Sequence, residues 1–506
     1  MLRQYLSAGL PALLLFFGVG CSEDYLDLAP TANYTTENYF ENERQITEAV
    51  NATYPIIRGL TVGSYWIFDE FRSDNTTFQY DPSNRGNEAY ERIDYFQADA
   101  TNGTLGNIFR SSYTNITRTN YILQNIAAAE FEEEANRVIR EAEARFVRAY
   151  MYTQLTKFYG AVPLVDRVLT DEAEAVTIRR SSVDDIYAQL VIPDYEFAIA
   201  NLPDVWDADN RGRASAHAAR IGLAKAHFQR RDYAAALPLL NAVIESGDHA
   251  LTQSYADLFD PAQEEENPEI IFAAQSDVSS GFGAGFFINW LPLNSQFAVT
   301  QSDLQILGGA GRQIPTCDMV AAYEPGDRRF DVSVGIYVED PEMPDTVYYI
   351  QKYFTPPLLL GGSDVDYPIF RYADVLLMRA EALLETQGGL PNEVFTTLNA
   401  LRARANLPLY FPGNPDPALD LNTEEQLRSA LRRERRVELA FEGGRYYDLV
   451  RYGTLEEVMR KHGEEQLVKQ AEFLEDLGPV YSNITELIGL PAQQVLLYGY
   501  AQNPGW

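Results

Sequence analysis

The stretch HAARIGLAKAHFQRRDYAAALPLLNAVIESG, from His217 to Gly247, constrains the fold more than any other part of the chain. Apolar residues recur every three to four positions on either side of Arg231-Asp232, so it reads as two helices joined by a tight turn. Ala224 and Ala236 stand on opposite sides of that turn, with Tyr233 beside it. Small side chains at those two places let antiparallel helices approach closely. A second segment repeats the logic: YADVLLMRAEALLETQGGLPNEVFTTLNALRARANLP, from Tyr372 to Pro408, has Gly388-Gly389 at its turn and Pro391 opening the return helix.

This is the spacing of tetratricopeptide-like helix pairs. Asn136 to Phe158 keeps the same 3.6-residue rhythm through Val138, Ala142, Phe146 and Leu155, and Gly160 and Pro163 end it. Ser182 with Asp185, and Thr423 with Gln426, are capping boxes that open further helices. Two regions break the pattern. Leu60 to Gly106 is rich in Gly, Asn, Asp, Ser and aromatics and shows no helical period. Asp260 to Asp366 carries Pro, Gly and short β-branched runs such as VSVGIYV and TVYYIQKYF. Long segments of this kind in a compact chain are usually functional. The expected fold is mainly α: helix pairs at about 107–259 and 367–453, with loop-rich insertions at about 60–106 and 260–366 carrying short β-strands.

The N-terminal run LLLFFGVGCSEDYLDLAP, Leu13 to Pro30, follows a short positive start. Its apolar part is too short for a transmembrane helix, which needs roughly 20 residues, and reads as a secretory signal over 1–20. Cys21, the first residue after it, resembles the acylated cysteine of a bacterial lipobox. Two or more acyl chains make such an anchor stable. Ser22, Glu23 and Asp24 look like the acidic tag that directs some lipoproteins to the outer face of the outer membrane. Cys317 is the only other cysteine, so disulfides contribute nothing, and a buried thiol is expected there. Hydrophobic residues at 46% predict a packed core over residues 21–506. The net charge of −33 argues against nucleic acid as a partner, because a phosphate backbone would be repelled over most of the surface.

Several blocks, in order and spacing, resemble the SusD/RagB family of outer-membrane nutrient-binding lipoproteins. They are Cys21 with YLDLAP, AEARFVRAYMYTQLTKFYGAVPL (Ala142 to Leu164), YPIFRYADVLLMRAEALLE (Tyr367 to Glu385), LNALRARANLP (Leu398 to Pro408), LRRERRVELAFEGGRYYDLVRYG (Leu431 to Gly453) and the ending QNPGW. The segment GLPAQQVLLYGYAQNPGW departs from the family's more usual Leu-Pro-Ile-Pro, and altered loop packing is expected there. The resemblance implies a SusD-like helical scaffold with four tetratricopeptide-like helix pairs. It implies a surface lipoprotein of polysaccharide utilisation that captures an oligosaccharide, in some members a peptide. The ligand would pass to a SusC-like TonB-dependent transporter without chemical change, and no cofactor is implied. Family members sometimes hold a calcium ion, for which loop carboxylates such as Asp74 or Asp81 would serve. The alternatives are a peptide-binding member of the same family and a tetratricopeptide-type interaction adaptor. The adaptor is disfavoured because long insertions interrupt the helix pairs.

Catalysis finds little support. His217, His227, His249 and His462 fit no metal or triad spacing. Glu381 with Glu385, and Glu438 with Glu442, offer paired carboxyls of the kind glycoside hydrolysis needs, but 73 acidic residues supply such pairs by chance. The Arg-rich block from Leu431 reads as a solvent-facing helix laced by charge pairs, Arg435 with Glu438 among them. A glycan site wants exposed aromatic platforms beside hydrogen-bonding side chains. Two irregular stretches have that mixture: SYWIFDEFRSDNTTFQYDPSN, with Tyr65, Trp66, Asp74, Asn75 and Tyr80, and GFFINWLPLNSQF, with Phe286, Phe287, Asn289 and Trp290. In the family, loops at these two places line the ligand cleft. The expectation is that Trp290 and Tyr80 stack on the ligand and that Asp74 and Asn75 bond its hydroxyls. Phe287 and Trp66 would join the site, although Trp66-Ile67-Phe68 also reads as a packed run.

Overall fold

The computed structural model describes residues 39–79, 88–293, 295, 310–338, 346–354, 362–469 and 480–506. Cys21, Tyr80 and Asp81 lie outside the described residues. Helices α1 (Glu43–Asn51) and α2 (Tyr54–Leu60) open the described chain. α2 runs on through a π-helical turn, Thr61–Tyr65, into a further helical turn, Trp66–Asp69. This stretch was expected to be irregular. Its helix shows no amphipathic stripe because Thr61, Ser64 and Asp69 are buried along with Tyr65, Trp66 and Phe68, so no face turns polar toward water.

The scaffold is a run of helices each packed on the next. α3 (Gly103–Asn125) lies on α4 (Glu134–Tyr159), α4 on α5 (Ile192–Asn201), and α5 on α6 (Ala216–Gln229). α6 pairs with α7 (Tyr233–Ser246), α7 packs on α8 (Tyr372–Gln387), and α8 on both α9 (Asn392–Arg404) and α10 (Glu424–Glu438). The pairs read from the sequence, α6–α7 and α8–α9, are both present. Ala224 and Ala236 are fully buried between helices. At Gly222 the approach is closer still: a Cβ there would sit 2.7 Å from the ring of Tyr195 on α5. Caps act where the sequence places them: Ser182 accepts from the Asp185 amide, and Thr423 and Gln426 form a full capping box.

The strands are short and pair antiparallel in twos. Val334–Val338 pairs with Thr346–Ile350, so both β-branched runs form strands as expected, and they pair with each other. Ile270–Ala274 pairs with Tyr367–Arg371, and Thr76–Thr77 pairs with Ile314–Pro315. The last pairing ties the first irregular region to the second.

Two expectations fail for physical reasons. The Arg-rich block turns only one side to solvent, where Arg432 and Arg433 lie, and buries the other. Glu438 of α10 is fully buried and takes Arg371 at 2.7 Å, Arg329 at 3.0 Å and Arg404 at 2.5 Å. Burial alone would raise the Glu438 pKa, but Arg404, Arg371 and Arg329 together hold it well below the usual carboxylate range. Arg435 pairs with Asp374 at 2.6 Å and Asp448 at 2.8 Å, not with Glu438. A helix face whose buried charges are matched from neighbouring elements can sit inside, where unpaired charge could not. The other failure is Cys317. It is exposed, because it opens a short surface helix, Cys317–Ala322, in which Met319 takes the buried position.

The segment that departs from the family ending forms a helix, Ala492–Tyr498. The terminus still docks. Asn503 donates to the Tyr159 and Ile488 carbonyls at 2.9 and 2.7 Å, and the Trp506 indole donates to Leu487 at 3.0 Å.

Candidate ligand site

The two irregular regions meet through an aromatic cluster. Trp66, at the end of the π-helical segment, lies edge to face with Trp290, centroids 5.8 Å apart. Trp290 ends a 3-10 turn, Phe286–Trp290, and packs on Phe286 at 4.9 Å and Tyr353 at 5.6 Å. Tyr353 stacks on Tyr367 of the neighbouring strand at 5.1 Å. Trp290 and Phe287 are both 0% exposed and Trp66 is 3%. This corrects the expectation of open platforms at these positions. Burying a large ring is the main apolar gain such a loop has, and these rings take it by packing on each other.

Asp74 and Asn75 are likewise interior. Both Asp74 oxygens are held by Arg445, at 2.7 and 2.8 Å, and one is also 2.9 Å from Arg436. Burial opposes the charge, but Arg445 and Arg436 hold the Asp74 pKa below the ordinary range. Asn75 donates to Glu70 at 2.7 Å and accepts from Arg436 at 2.7 Å. The pair therefore clasps the first irregular region to α10 and to α11 (Arg445–Tyr452). Two guanidinium groups on one carboxylate also leave Asp74 unfit as a calcium ligand. Among the described residues no cluster of His, Cys, Asp or Glu is arranged to hold a metal ion.

What faces outward is one layer above the tryptophans. Tyr90, half-buried on the helix Glu88–Asp94, lies parallel to Trp66, with 6.3 Å between centroids and 4° between planes. The Arg312 guanidinium sits 4.1 Å over the Tyr90 ring and donates to the Asn289 side chain at 2.7 Å. An aromatic edge, a planar cation and an amide in contact form a set suited to a hydroxyl-bearing ring. Sequence reasoning named Asn289 but missed Tyr90 and Arg312. Tyr90 sits in an ordinary-looking helical run, whereas Arg312, a lone cation after the glycines of GGAGR, was the available signal.

Beneath Trp66 lies a cavity of about 380 Å³, also lined by Asp69, Gln154, Lys157 and Tyr447. Trp66 is the one residue of the expected set that lines it among the described residues. Lys157 and Asp69 form a 2.6 Å ion pair inside, with the ammonium 4.7 Å from the Tyr447 ring centre. Burial lowers the lysine pKa and raises that of Asp69. Trp66 Nε1, Gln154 Oε1 and the Tyr447 hydroxyl have no hydrogen-bond partner among the described residues. Arg230 and the exposed Glu486 also line the cavity.

The carboxylates considered for hydrolysis are each taken. Glu381 binds Arg451, Glu385 binds Arg428, and Glu442 lies 2.6 Å from Lys352 and 2.5 Å from Arg371.

A family profile described as the SusD family matches residues 336–506, and a second, described as starch-binding and associating with the outer membrane, matches residues 24–227. The chain belongs to the SusD/RagB family. SusD-like protein P25 of Formosa agariphila is 26% identical over 493 residues, covering 88% of this chain and 90% of the relative. A SusD-like protein of Bacteroides ovatus is 25% identical over 486 residues, covering 86% and 80%. Among solved structures, a SusD-like carbohydrate-binding protein from Bacteroides fragilis is 26% identical with a TM-score of 0.70, covering 83% of this SusD-family chain and 88% of its own. A laminarin-binding SusD-like protein, 24% identical, covers 92% of this chain and 100% of its own with a TM-score of 0.74, and shows the shared helical fold. The family thus includes carbohydrate-binding proteins. Among the described residues, no helix of this SusD-family chain is long and apolar enough to cross a membrane.

Proposed function

We propose that this chain is a lipid-anchored surface protein that binds an oligosaccharide and delivers it to a TonB-dependent transporter of the outer membrane. The observation that carries the glycan reading is the layered set of Tyr90, Arg312 and Asn289 over buried tryptophans, at the junction of the two irregular regions. A sugar would meet the rim of this stack, its C–H groups against the Tyr90 edge while Arg312 and Asn289 bond its hydroxyls. Trp66 holds Tyr90 in place from below, and Trp290 backs Trp66. The ligand is released unchanged, since the acidic pairs of the scaffold are committed to arginine and lysine partners. Cys21 carries the lipid.

The test is calorimetric titration of the Cys21→Ser protein against plant, algal and microbial oligosaccharides. One glycan class should bind, and Tyr90→Ala and Arg312→Ala should each weaken it while the melting curve stays intact. Silence across the panel from a folded protein would move the reading to a peptide ligand. The delivery step is tested separately, by isolating the tagged chain from outer membranes and asking whether a TonB-dependent transporter comes with it.

A further inference from the structure

A second concavity, of about 470 Å³, lies on the far side of the Asp74 clasp. It is formed by the short helix Cys317–Ala322, the exposed side of α10, α11 and the start of the helix Leu455–Lys469. Its volume falls within the range of small-molecule pockets, roughly 300–1,000 Å³. Four arginines line it, Arg432, Arg433, Arg436 and Arg445, against two carboxylates, Asp318 and Glu457. Leu449 and Val458 add apolar wall. The chain carries a net charge of −33, yet four of the six charged side chains on these walls are cationic.

The four arginines are not equivalent. Arg445 and Arg436 are committed to Asp74, and Arg436 also meets Asp318 at 2.8 Å. Arg433 reaches Glu324 at 3.0 Å, a carboxylate already held by Arg402 at 2.7 Å. Arg432 has no ion pair and no hydrogen-bond acceptor among the described residues. Its guanidinium lies 4.0 Å over the Tyr452 ring, and Tyr452 is itself approached by Arg451 at 4.4 Å. A guanidinium packed over an aromatic ring spends none of its N–H donors on that contact. Their fork matches the two oxygens of a carboxylate or sulfate group.

We propose that this groove binds the anionic substituent of an acidic saccharide, a uronate carboxylate or a sulfate ester, with Arg432 as the primary contact and Arg433 beside it. The saccharide part of the assignment rests on the glycan reading above; the oxyanion part rests only on the groove. Leu449 and Val458 would meet the apolar face of the sugar, and Asp318 and Glu457 set a limit of about one anionic group.

The test titrates the Cys21→Ser protein with five probes, galacturonate, sodium sulfate, an oligogalacturonate, a sulfated galactan oligosaccharide and a neutral glucan oligosaccharide, and with a decaglutamate peptide as a protein-like competitor, each against sodium chloride at matched ionic strength. At least one acidic probe should bind, more weakly as salt rises. Arg432→Ala should weaken it roughly tenfold, the scale of lost charge-assisted hydrogen bonds. Arg432→Lys, which keeps the charge and loses the fork, should fall between and guards against a folding defect in the alanine variant. Preference for uronate or for sulfate assigns the source of the oxyanion. Binding of galacturonate or sulfate that depends on Arg432, with no oligosaccharide bound, keeps the groove as an oxyanion site and removes the glycan reading. Equal binding of acidic probes by wild type and both Arg432 variants overturns the proposal, as does the absence of binding by all four acidic probes. Tighter binding of a decaglutamate peptide than of any saccharide overturns it in favour of an acidic protein partner.

Discussion

Trp66 and Trp290 meet edge to face, their ring planes 81° apart, although each comes from a different irregular region of the chain. The contact makes the tryptophans the shared foundation of both regions and moves the ligand-facing role outward, to Tyr90 and its neighbours Arg312 and Asn289.

Trp290→Ala should accordingly behave as a core truncation. The fully buried indole leaves a hole between Phe286, Tyr353 and Trp66, at a cost of about 3–5 kcal/mol. Urea unfolding measures this directly. A variant as stable as wild type that nevertheless loses glycan affinity would mean the ring is a ligand contact after all.

Glu438→Gln should be among the most damaging single changes in the protein. It leaves Arg329, Arg371 and Arg404 facing a neutral amide in a buried site. Breaking a buried ion pair from one side costs about 3–5 kcal/mol. The expected result is a large drop in unfolding midpoint or loss of soluble protein, and a change under about 1 kcal/mol would show the network to be dispensable.

Glu264 and Asp366 predict a stability that declines toward alkaline pH. Burial, then the nearby Asp366 charge, pushes Glu264 up to about 8, and burial pushes Asp366 up to about 7. Between the unfolded value and these folded values, the native state holds protons that the unfolded chain has released. Their contribution is fully present below about pH 4 and falls as pH rises to about 8. Glu264→Gln, which keeps an acceptor for the Asp366 amide, should be more stable than wild type by roughly 1–3 kcal/mol at pH 8 and equal to it at pH 4. Unfolding curves at the two pH values decide it; no gain at pH 8 refutes the assignment.

Gly222→Ala should loosen the α5–α6 contact. The added methyl meets the Tyr195 ring at 2.7 Å, closer than any relaxed contact, and the overpacking should cost about 1–3 kcal/mol. Thermal melting of the variant is the check, and an unchanged curve would mean that Tyr195 has room to move.

What was legible in the sequence was local. Ser182 and Thr423 cap helices through residues three positions away, and the Gly388-Gly389 turn and the β-branched strands announce themselves within a few residues. What was hidden depended on partners far along the chain. The π-helical segment at Thr61 carries no stripe because its polar Thr61 and Ser64 are buried beside Tyr65, while the position left exposed is Gly63. The burial of α10 could not be read because Glu438 finds its cations at Arg329, Arg371 and Arg404, outside its own helix. Asp74 has an acceptor's composition for a sugar, yet Arg445 and Arg436 claim it first. Tyr90 gained its place only when Trp66 and Arg312 closed on its two sides.

Arg371 touches Glu269 at 2.8 Å and Glu438 at 2.7 Å, while Arg404 holds the other Glu269 oxygen at 2.7 Å. The consequence is one of timing. A chain emerging from its N terminus cannot bury Glu269 until Arg371 and Arg404 have been made, and those two cannot settle until Glu438 follows. The centre of the molecule therefore cannot close before α10 is made, and a chain interrupted anywhere before α10 keeps its carboxylate and guanidinium groups there unmatched.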